Sequence, residues 1–260
     1  MKLDYDIELN ILNDIHDLEK NEIFIFSDDE CSNNYYNTAK IIDDILEDDY
    51  LKKWVDNSKS QFPPDFINEE DGLIMEVMRI DDHSPNGKYN PNLSRQREMR
   101  NEVEGIKDIF PNAKRFIMNA VTTLPTDEDH NYTFYYTSFQ RTIRKHLSKL
   151  ESYKRNHPKK KVIFLVVDET SGIYFEACTR DDNHAMGRPH QVYLDRRFLN
   201  EFVDSDLDYL MLFCPFNYFK TVDGMTSLAH LTIFDVKNMK NNSFYKPIDY
   251  DISRMISSEK

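Results

Sequence analysis

The chain has 260 residues and a formal net charge of −13, with 46 acidic against 33 basic side chains. Hydrophobic residues make up 40% of it and aromatic residues 13%, which excludes a disordered tail and allows one large or two small domains. No uncharged apolar run approaches the roughly 18 residues that a membrane span needs, and the acidic start lacks the basic segment of a signal peptide. We therefore expect a cytoplasmic protein with no membrane partner.

Cysteine and glycine usage excludes further classes. Cys31, Cys178 and Cys214 are far apart and odd in number, which argues against a disulfide framework and a cysteine-rich zinc site. The six glycines are never closely spaced, so the glycine loops that hold nucleotide phosphates are absent.

The charge is distributed unevenly along the chain. Residues 1–82 carry a net charge of −16, residues 83–161 a net charge of +8 and residues 162–260 a net charge of −5. A basic middle part can form an anion-binding stripe even in an acidic protein, although basic and acidic parts can also neutralise each other across the fold.

Taken in chain order, apolar periodicity predicts alternating strands and helices. The predicted strands cover 21–27, 73–80, 115–121, 162–167, 209–213 and 231–236. The predicted helices cover 38–55, a segment that starts at Asn90-Pro91 and reaches Phe110, and 134–153. The run 162–167 is entirely apolar, which is typical of a central strand covered on both faces.

These elements favour one α/β domain over 1–260, with a mixed central sheet flanked by helices. Its parts are an acidic N-terminal part (1–82), a basic helical part (83–161) and a strand-rich C-terminal part (162–260). The chain has no internal repeat and no linker that would mark a domain boundary.

The most informative chemical pattern is Pro64-Asp65 followed by Glu76 in the middle of an apolar strand. A carboxylate in such a run is costly to bury unless it meets a cation or a hydrogen-bond donor. Asp65 lies eleven residues upstream across a tight turn, so it would be the neighbour of Glu76 on the adjoining strand. Two converging carboxylates form an oxygen site suited to Mg²⁺ or Mn²⁺, which would polarise a phosphodiester and lower the pKa of an attacking water.

This pattern resembles the Pro-Asp…(Asp/Glu)-x-Lys motif of the restriction-endonuclease-like, PD-(D/E)XK, nucleases, and the match covers Pro64 to Met78. The resemblance implies a restriction-endonuclease-like core in which Asp65 and Glu76 hold the metal. The motif lysine, which supports the nucleophile and the transition-state charge, is replaced by Met78. Some members take this lysine from a neighbouring helix, and Lys145 is the candidate here. Without a replacement, the site would bind metal without cleaving.

The alternative for these carboxylates is structural: Asp65 caps a turn and Glu76 pairs with Arg79 or a helix lysine. Asp168 ends the apolar strand 162–167 and is a third candidate metal ligand, although it also fits the cap of the following turn.

A rival motif is Asp235-Val236-Lys237 with Asp223 twelve residues upstream. It has the lysine that the first motif lacks, but only 23 residues follow it, which leaves little room for the helix and strand that complete such a core.

The helix 134–153 carries a basic row opposite its apolar face, with Arg141, Arg144, Lys145 and Lys149 as its central members. Such a row would bind nucleic-acid phosphates without sequence preference, or it would be only a solvated face. Histidines next to acids, among them His83, His130 and His190, lie in polar sequence and predict solvated loop residues rather than a zinc or transition-metal site.

Two hypotheses follow. In the first, the protein is a metal-dependent nuclease that binds nucleic acid through residues 83–161. In the second, it is a non-catalytic interaction protein, either a degenerate nuclease fold or an acidic nucleic-acid mimic, whose residues 1–82 bind a basic protein partner. The sequence leaves the oligomeric state and the choice of DNA or RNA open.

Overall fold

The computed structural model describes residues 5–28, 32–57, 63–83, 130–178, 187–216, 219–220, 226–243 and 245–258. The helices are α1 (Tyr5–His16), α2 (Asn33–Leu46), α3 (Tyr50–Lys53), α4 (Tyr132–Leu147), α5 (Leu150–Asn156) and α6 (Arg196–Asn200). The strands are β1 (Ile23–Phe26), β2 (Val55–Asp56), β3 (Phe66–Asn68), β4 (Leu73–Ile80), β5 (Lys161–Asp168), β6 (Tyr174–Glu176), β7 (Arg188–Pro189), β8 (Tyr209–Phe213), β9 (Phe219–Lys220), β10 (Thr226–Leu228), β11 (Leu231–Asp235) and β12 (Met255–Ser257).

Seven strands form a mixed sheet in the order β1-β11-β8-β5-β4-β3-β2. The central strands β4, β5 and β8 are parallel, while β2, β3 and β4 form an antiparallel meander at one side. On the other side β11 is antiparallel to β8, and β1 is parallel to β11. Helices α4 and α5 lie in the connection from β4 to β5, as a crossover between parallel neighbours requires.

Helices cover both faces of this sheet, because successive strand residues point to opposite sides. Phe164 and Val166 pack with apolar residues of α4, α5 and α6 on one face, which we call the α4 face. Ile163 and Leu165 pack with apolar residues of α1, α2 and α3 on the other. The prediction of a mixed α/β sheet flanked by helices is therefore confirmed.

The prediction that 162–167 is a central strand is also confirmed. This segment belongs to β5, which lies between β4 and β8, and each of its six side chains is buried. The strands predicted at 21–27, 73–80, 209–213 and 231–236 correspond to β1, β4, β8 and β11.

Two predicted helices were wrong in their bounds. The segment 38–55 holds the end of α2, the separate α3 and the start of β2, and its Leu51 and Val55 are exposed rather than part of an apolar face. The segment 134–153 divides into α4 and α5 at Ser148 and Lys149, where the Ser148 hydroxyl donates to the carbonyl of Lys145. The helix predicted from Asn90-Pro91 and the strand at 115–121 lie outside the described residues.

Candidate metal site beside the β3–β4 hairpin

The register of the β3–β4 hairpin places Asp65 opposite Glu76. Phe66 pairs with Met75, so the preceding residue, Asp65, falls across from Glu76. Directly opposed residues in antiparallel strands have Cβ atoms about 4.5–5.5 Å apart. The Asp65 carboxylate also accepts a hydrogen bond from the backbone N–H of Val77 at 2.7 Å. The two carboxyl groups that the sequence singled out therefore belong to one site.

The backbone before β3 is held by Asn57. The Asn57 N–H donates to the carbonyl of Asp65 at 2.7 Å, and its side-chain amide donates to the carbonyl of Pro64 at 2.7 Å. The peptide bond between Pro63 and Pro64 is cis. These contacts extend the β2–β3 pairing to Asp65, so its side chain is carried by the sheet and not by a free loop.

Burial determines the electrostatics of Glu76, whose side chain is 12% exposed. Burial, followed by the negative charge of Asp65, raises the pKa of Glu76 to about 7. Burial also raises the pKa of Asp65, against the hydrogen bond from Val77. Among the described residues, Glu76 Oε2 is a buried oxygen without a hydrogen-bond partner. The buried Glu76 Oε2 thus has no described group that offsets its negative charge, and a bound cation would do so.

Two residues that the sequence analysis did not assign to the site complete it. His146 Nδ1 lies 3.5 Å from Glu76 Oε1, and a hydrogen bond with Tyr153 lowers the pKa of Glu76. Burial and the charges of Lys149 and Lys145 lower the pKa of His146 to about 4, so it is neutral near pH 7. His146 follows Ile143 by three positions on the buried face of α4, a spacing that would have placed it in the core.

Two basic side chains lower the pKa of Glu76: Lys149, which has the larger effect, and Lys145. Both side chains are exposed at the junction of α4 and α5. Met78, at the position of the motif lysine, is 5% exposed and packs in the core on the α4 face. Lys149, which the sequence assigned to nucleic-acid binding alone, therefore acts on Glu76 together with Lys145.

Asp168 lies away from the Asp65–Glu76 pair. Glu76 pairs with Phe164, and Asp168 lies four residues further along β5, about 13 Å away at the rise of a strand. Its carboxylate accepts from the Tyr135 hydroxyl at 2.7 Å and from the N–H of Thr170 at 3.1 Å. Within the part of the chain that the structure describes, no group of three or more His, Cys, Asp or Glu side chains is arranged to hold a metal ion. From the described residues, a cation here would take the two carboxylates as its ligands.

The rival motif does not form a second site in the described part of the chain. Asp235 is buried and accepts from the Ser27 hydroxyl at 3.1 Å and the Asn238 amide at 2.8 Å. Lys237 pairs instead with Asp208, at 2.5 Å. Asp223 lies outside the described residues.

The basic row of α4 is only partly available to a ligand. Arg144 makes a two-pronged ion pair with Glu201, at 2.7 and 3.2 Å. Arg141, Lys145 and Lys149 are exposed. Three of the four predicted phosphate-binding residues thus lie on the surface without a described ion pair, whereas Arg144, whose side chain is 65% exposed, is paired with Glu201.

The expectation of solvated loop histidines was wrong for His190. It is 6% exposed, and its Nε2 lies 2.8 Å from the Asp195 carboxylate. His83 and His130 are partly buried beside Asp82, itself fully buried, at 3.4 and 3.3 Å. The His130–Asp82 contact joins positions 48 residues apart, whereas Asp195 follows His190 by five positions and Asp82 directly precedes His83. Local polar sequence did not reveal the burial of His190, because rings of other elements, among them Tyr135 and Phe198, pack against it.

No protein-family model, curated protein or solved structure shows a significant match to the chain. Among the described residues, no helix is both long and apolar enough to cross a membrane.

Proposed function

We propose that the protein is a nuclease that hydrolyses phosphodiester bonds with the help of Mg²⁺ or Mn²⁺, and that Asp65 and Glu76 hold the metal. The observation that carries the proposal is the opposed carboxylate pair with a buried oxygen of Glu76 that lacks a hydrogen-bond partner. The metal, when bound, would supply Lewis-acid polarisation of the phosphodiester and a water of lowered pKa.

The order of the elements also supports a restriction-endonuclease-like core. The carboxylates lie on an antiparallel pair of strands, and the helices and the parallel strand that follow are α4, α5 and β5. A restriction-endonuclease-like core requires a helix and a strand after the motif, and these elements would supply them. The relationship to the PD-(D/E)XK nucleases is part of the proposal.

The remaining residues would bind the nucleic acid, stabilise charge or orient Glu76. Lys145 and Lys149 take the place of the motif lysine, since both act electrostatically on Glu76 from the solvent side. Their charges would stabilise the phosphate in the transition state. Arg141 would extend this surface along α4 and give salt-dependent binding of nucleic acid. Tyr153 and His146 would orient the carboxylate of Glu76.

A cleavage assay tests this function. Wild type, Glu76→Gln and Asp65→Asn are incubated with supercoiled plasmid, single-stranded DNA and RNA, each with Mn²⁺ and with a chelator. Glu169→Gln is the matched control, because Glu169 is also a partly buried carboxylate with a raised pKa, but it pairs with Arg79. We expect metal-dependent cleavage by wild type and Glu169→Gln and none by the two site variants. Equal cleavage by all four proteins would assign the activity to a contaminant.

The second candidate is a non-catalytic interaction protein, and Met78 is the observation in its favour. A buried methionine at the lysine position leaves β4 without the lysine of the motif. Metal binding without cleavage would favour this alternative. The acidic N-terminal part keeps its net charge of −16 for a basic partner, because Lys20 and Lys53, which pair with Asp43, Asp44 and Glu47, belong to the same part and are already counted in that net charge.

A further inference from the structure

A small cavity lies on the α4 face, beyond the carboxyl ends of the parallel strands β5 and β8. Its volume is about 50 Å³. This is room for about four waters, on the measure by which one water needs about 10–15 Å³. In open α/β sheets, ligands bind beyond the carboxyl ends of the strands. The wall is mostly aromatic and aliphatic and includes Tyr135, Tyr174, Tyr193, Val192, Leu212 and Leu228.

His190 lines this cavity, and the proposed nuclease site does not use it. Its side chain is 4% exposed, and its Nε2 lies 2.8 Å from the Asp195 carboxylate, which also accepts from the Tyr132 hydroxyl. Burial acts to raise the pKa of Asp195, but the hydrogen bonds from His190 and Tyr132 outweigh burial and lower it. The carboxylate is therefore charged near pH 7 and can only accept hydrogen bonds, so His190 carries its proton on Nε2.

The second ring nitrogen of His190 is available to a ligand. In a neutral imidazole with the proton on Nε2, Nδ1 is a hydrogen-bond acceptor. This Nδ1 makes no hydrogen bond with a described residue and is not one of the fully buried polar atoms, so it is reached from the cavity. The hydroxyl of Thr232, on β11, lies in the wall of the same cavity and likewise has no described hydrogen bond. The cavity thus offers one acceptor and one hydroxyl.

Asp168, by contrast, is engaged within the wall of the cavity. Its carboxylate accepts from the Tyr135 hydroxyl at 2.7 Å, the N–H of Thr170 at 3.1 Å and the Cys214 thiol at 3.9 Å. Burial, followed by the charge of Asp168, raises the pKa of Cys214, so its thiol keeps its proton. These contacts hold the wall together, and we assign ligand binding to His190 and Thr232.

Water would be poorly satisfied in such a cavity. Buried waters typically make about three hydrogen bonds each, and four of them would compete for the few open groups of a mostly apolar wall. A molecule with a short carbon skeleton and a hydroxyl group fits these surroundings better. Its skeleton would contact the aromatic and aliphatic side chains, while its hydroxyl would meet the polar groups that fix its orientation.

We propose that this cavity binds a small neutral alcohol, whose hydroxyl donates a hydrogen bond to Nδ1 of His190 and accepts one from Thr232. Asp195 is a positioning residue, because it holds the imidazole in the tautomer that accepts at Nδ1. The site is independent of the proposed nuclease function, since Asp168 in its wall lies about 13 Å from Glu76 at the rise of a strand.

The test compares propan-2-ol with acetone, which has the same carbon skeleton but no hydrogen to donate. Binding is followed by the NMR shifts of the backbone amides of Ile173 and Val192, both in the wall. We expect saturable shifts in wild type with propan-2-ol and about tenfold weaker binding of acetone, because acetone leaves Nδ1 without a donor. Nitrogen-15 NMR of the His190 ring should show the proton on Nε2 and a shift of Nδ1 when propan-2-ol binds.

His190→Phe keeps an aromatic ring and removes the acceptor, so propan-2-ol should bind this variant no better than acetone does. His16→Phe is the matched control, because His16 is also a partly buried histidine beside an aspartate, Asp17, but lies on α1. Ala229→Leu covers the case in which His190→Phe does not fold. It fills the cavity and should abolish the shifts with both probes.

Four results would overturn the proposal. They are the absence of saturable shifts with propan-2-ol in wild type, equal binding of acetone, a proton on Nδ1 of His190, and a preference for propan-2-ol that survives in His190→Phe or Ala229→Leu.

Discussion

Glu76 is a carboxylate placed among apolar neighbours in the middle of β4, and its pKa of about 7 links its charge to the stability of the fold. Its ordinary pKa is 4.5, so between these values the folded protein keeps a proton that the unfolded chain releases. Its contribution to stability is therefore fully present below about pH 4.5 and is lost as the pH rises through 7. The upper bound of that loss is about 3 kcal/mol.

Glu76→Gln should remove this pH dependence. We expect the free energy of unfolding of wild type to fall between pH 5 and pH 8 by more than that of the variant, as measured by urea denaturation. Glu70→Gln, a change at an exposed position, should retain the wild-type dependence. An identical pH dependence in wild type and Glu76→Gln would contradict the raised pKa.

Tyr153 stabilises the charged form of Glu76 through a hydrogen bond, which lowers the pKa of that carboxyl. Tyr153→Phe removes the hydroxyl and keeps the ring in the core, so the pKa of Glu76 should rise above its wild-type value. Carbon-13 NMR titration of the side-chain carboxyl measures this shift. Tyr136→Phe is the control, because its hydroxyl donates to Glu201 at 2.6 Å. A fall in the pKa of Glu76, or no change, would contradict the assigned role.

At the residue scale, the sequence identified the carboxylate pair but not its surroundings. Asp65 and Glu76 could be predicted because an acid inside an apolar strand needs a partner, and a hairpin turn supplies one. His146 and Tyr153 could not, because both follow the spacing of an apolar helix face. Asp168 was grouped with the pair although the register separates them.

At the scale of elements, apolar runs predicted the strands well, because a run such as 162–167 has few other ways to bury every side chain. The break between α4 and α5 was missed, since neither glycine nor proline marks it. This break matters to the site. It begins α5 at Leu150, and α5 carries Tyr153 to the carboxylate of Glu76.

The basic surface of α4 gives a prediction at this scale. Lys145→Ala and Lys149→Ala should each weaken nucleic-acid binding and reduce its salt dependence, because exposed lysines release counterions from phosphates. Arg144→Ala should have a smaller effect on affinity, since Glu201 already binds this guanidinium. Fluorescence anisotropy with a labelled oligonucleotide at several salt concentrations measures the slopes. A larger loss of nucleic-acid affinity in Arg144→Ala than in Lys145→Ala would contradict this prediction.

At the scale of the whole molecule, ion pairs within one part leave its net charge unchanged, whereas pairs between parts offset charges of opposite sign. Lys20 and Lys53 pair with acids of their own N-terminal part, while Lys160 of the basic part pairs with Glu69 of the N-terminal part and Arg144 with Glu201 of the C-terminal part. Composition predicted the excess of each sign but not these pairs. Within the exposed basic surface, Lys145 and Lys149 at the α4–α5 junction are the residues that lower the pKa of Glu76.

A Mn²⁺ titration monitored by thermal unfolding tests whether Asp65 and Glu76 hold a divalent cation. A cation that binds only the folded state raises the unfolding temperature with its concentration. At 100 times the dissociation constant, the stabilisation should be about 2.7 kcal/mol in wild type and in the control Glu169→Gln. We predict that Glu76→Gln loses this response. An equal rise in wild type and Glu76→Gln, or no rise in either, would contradict the claim.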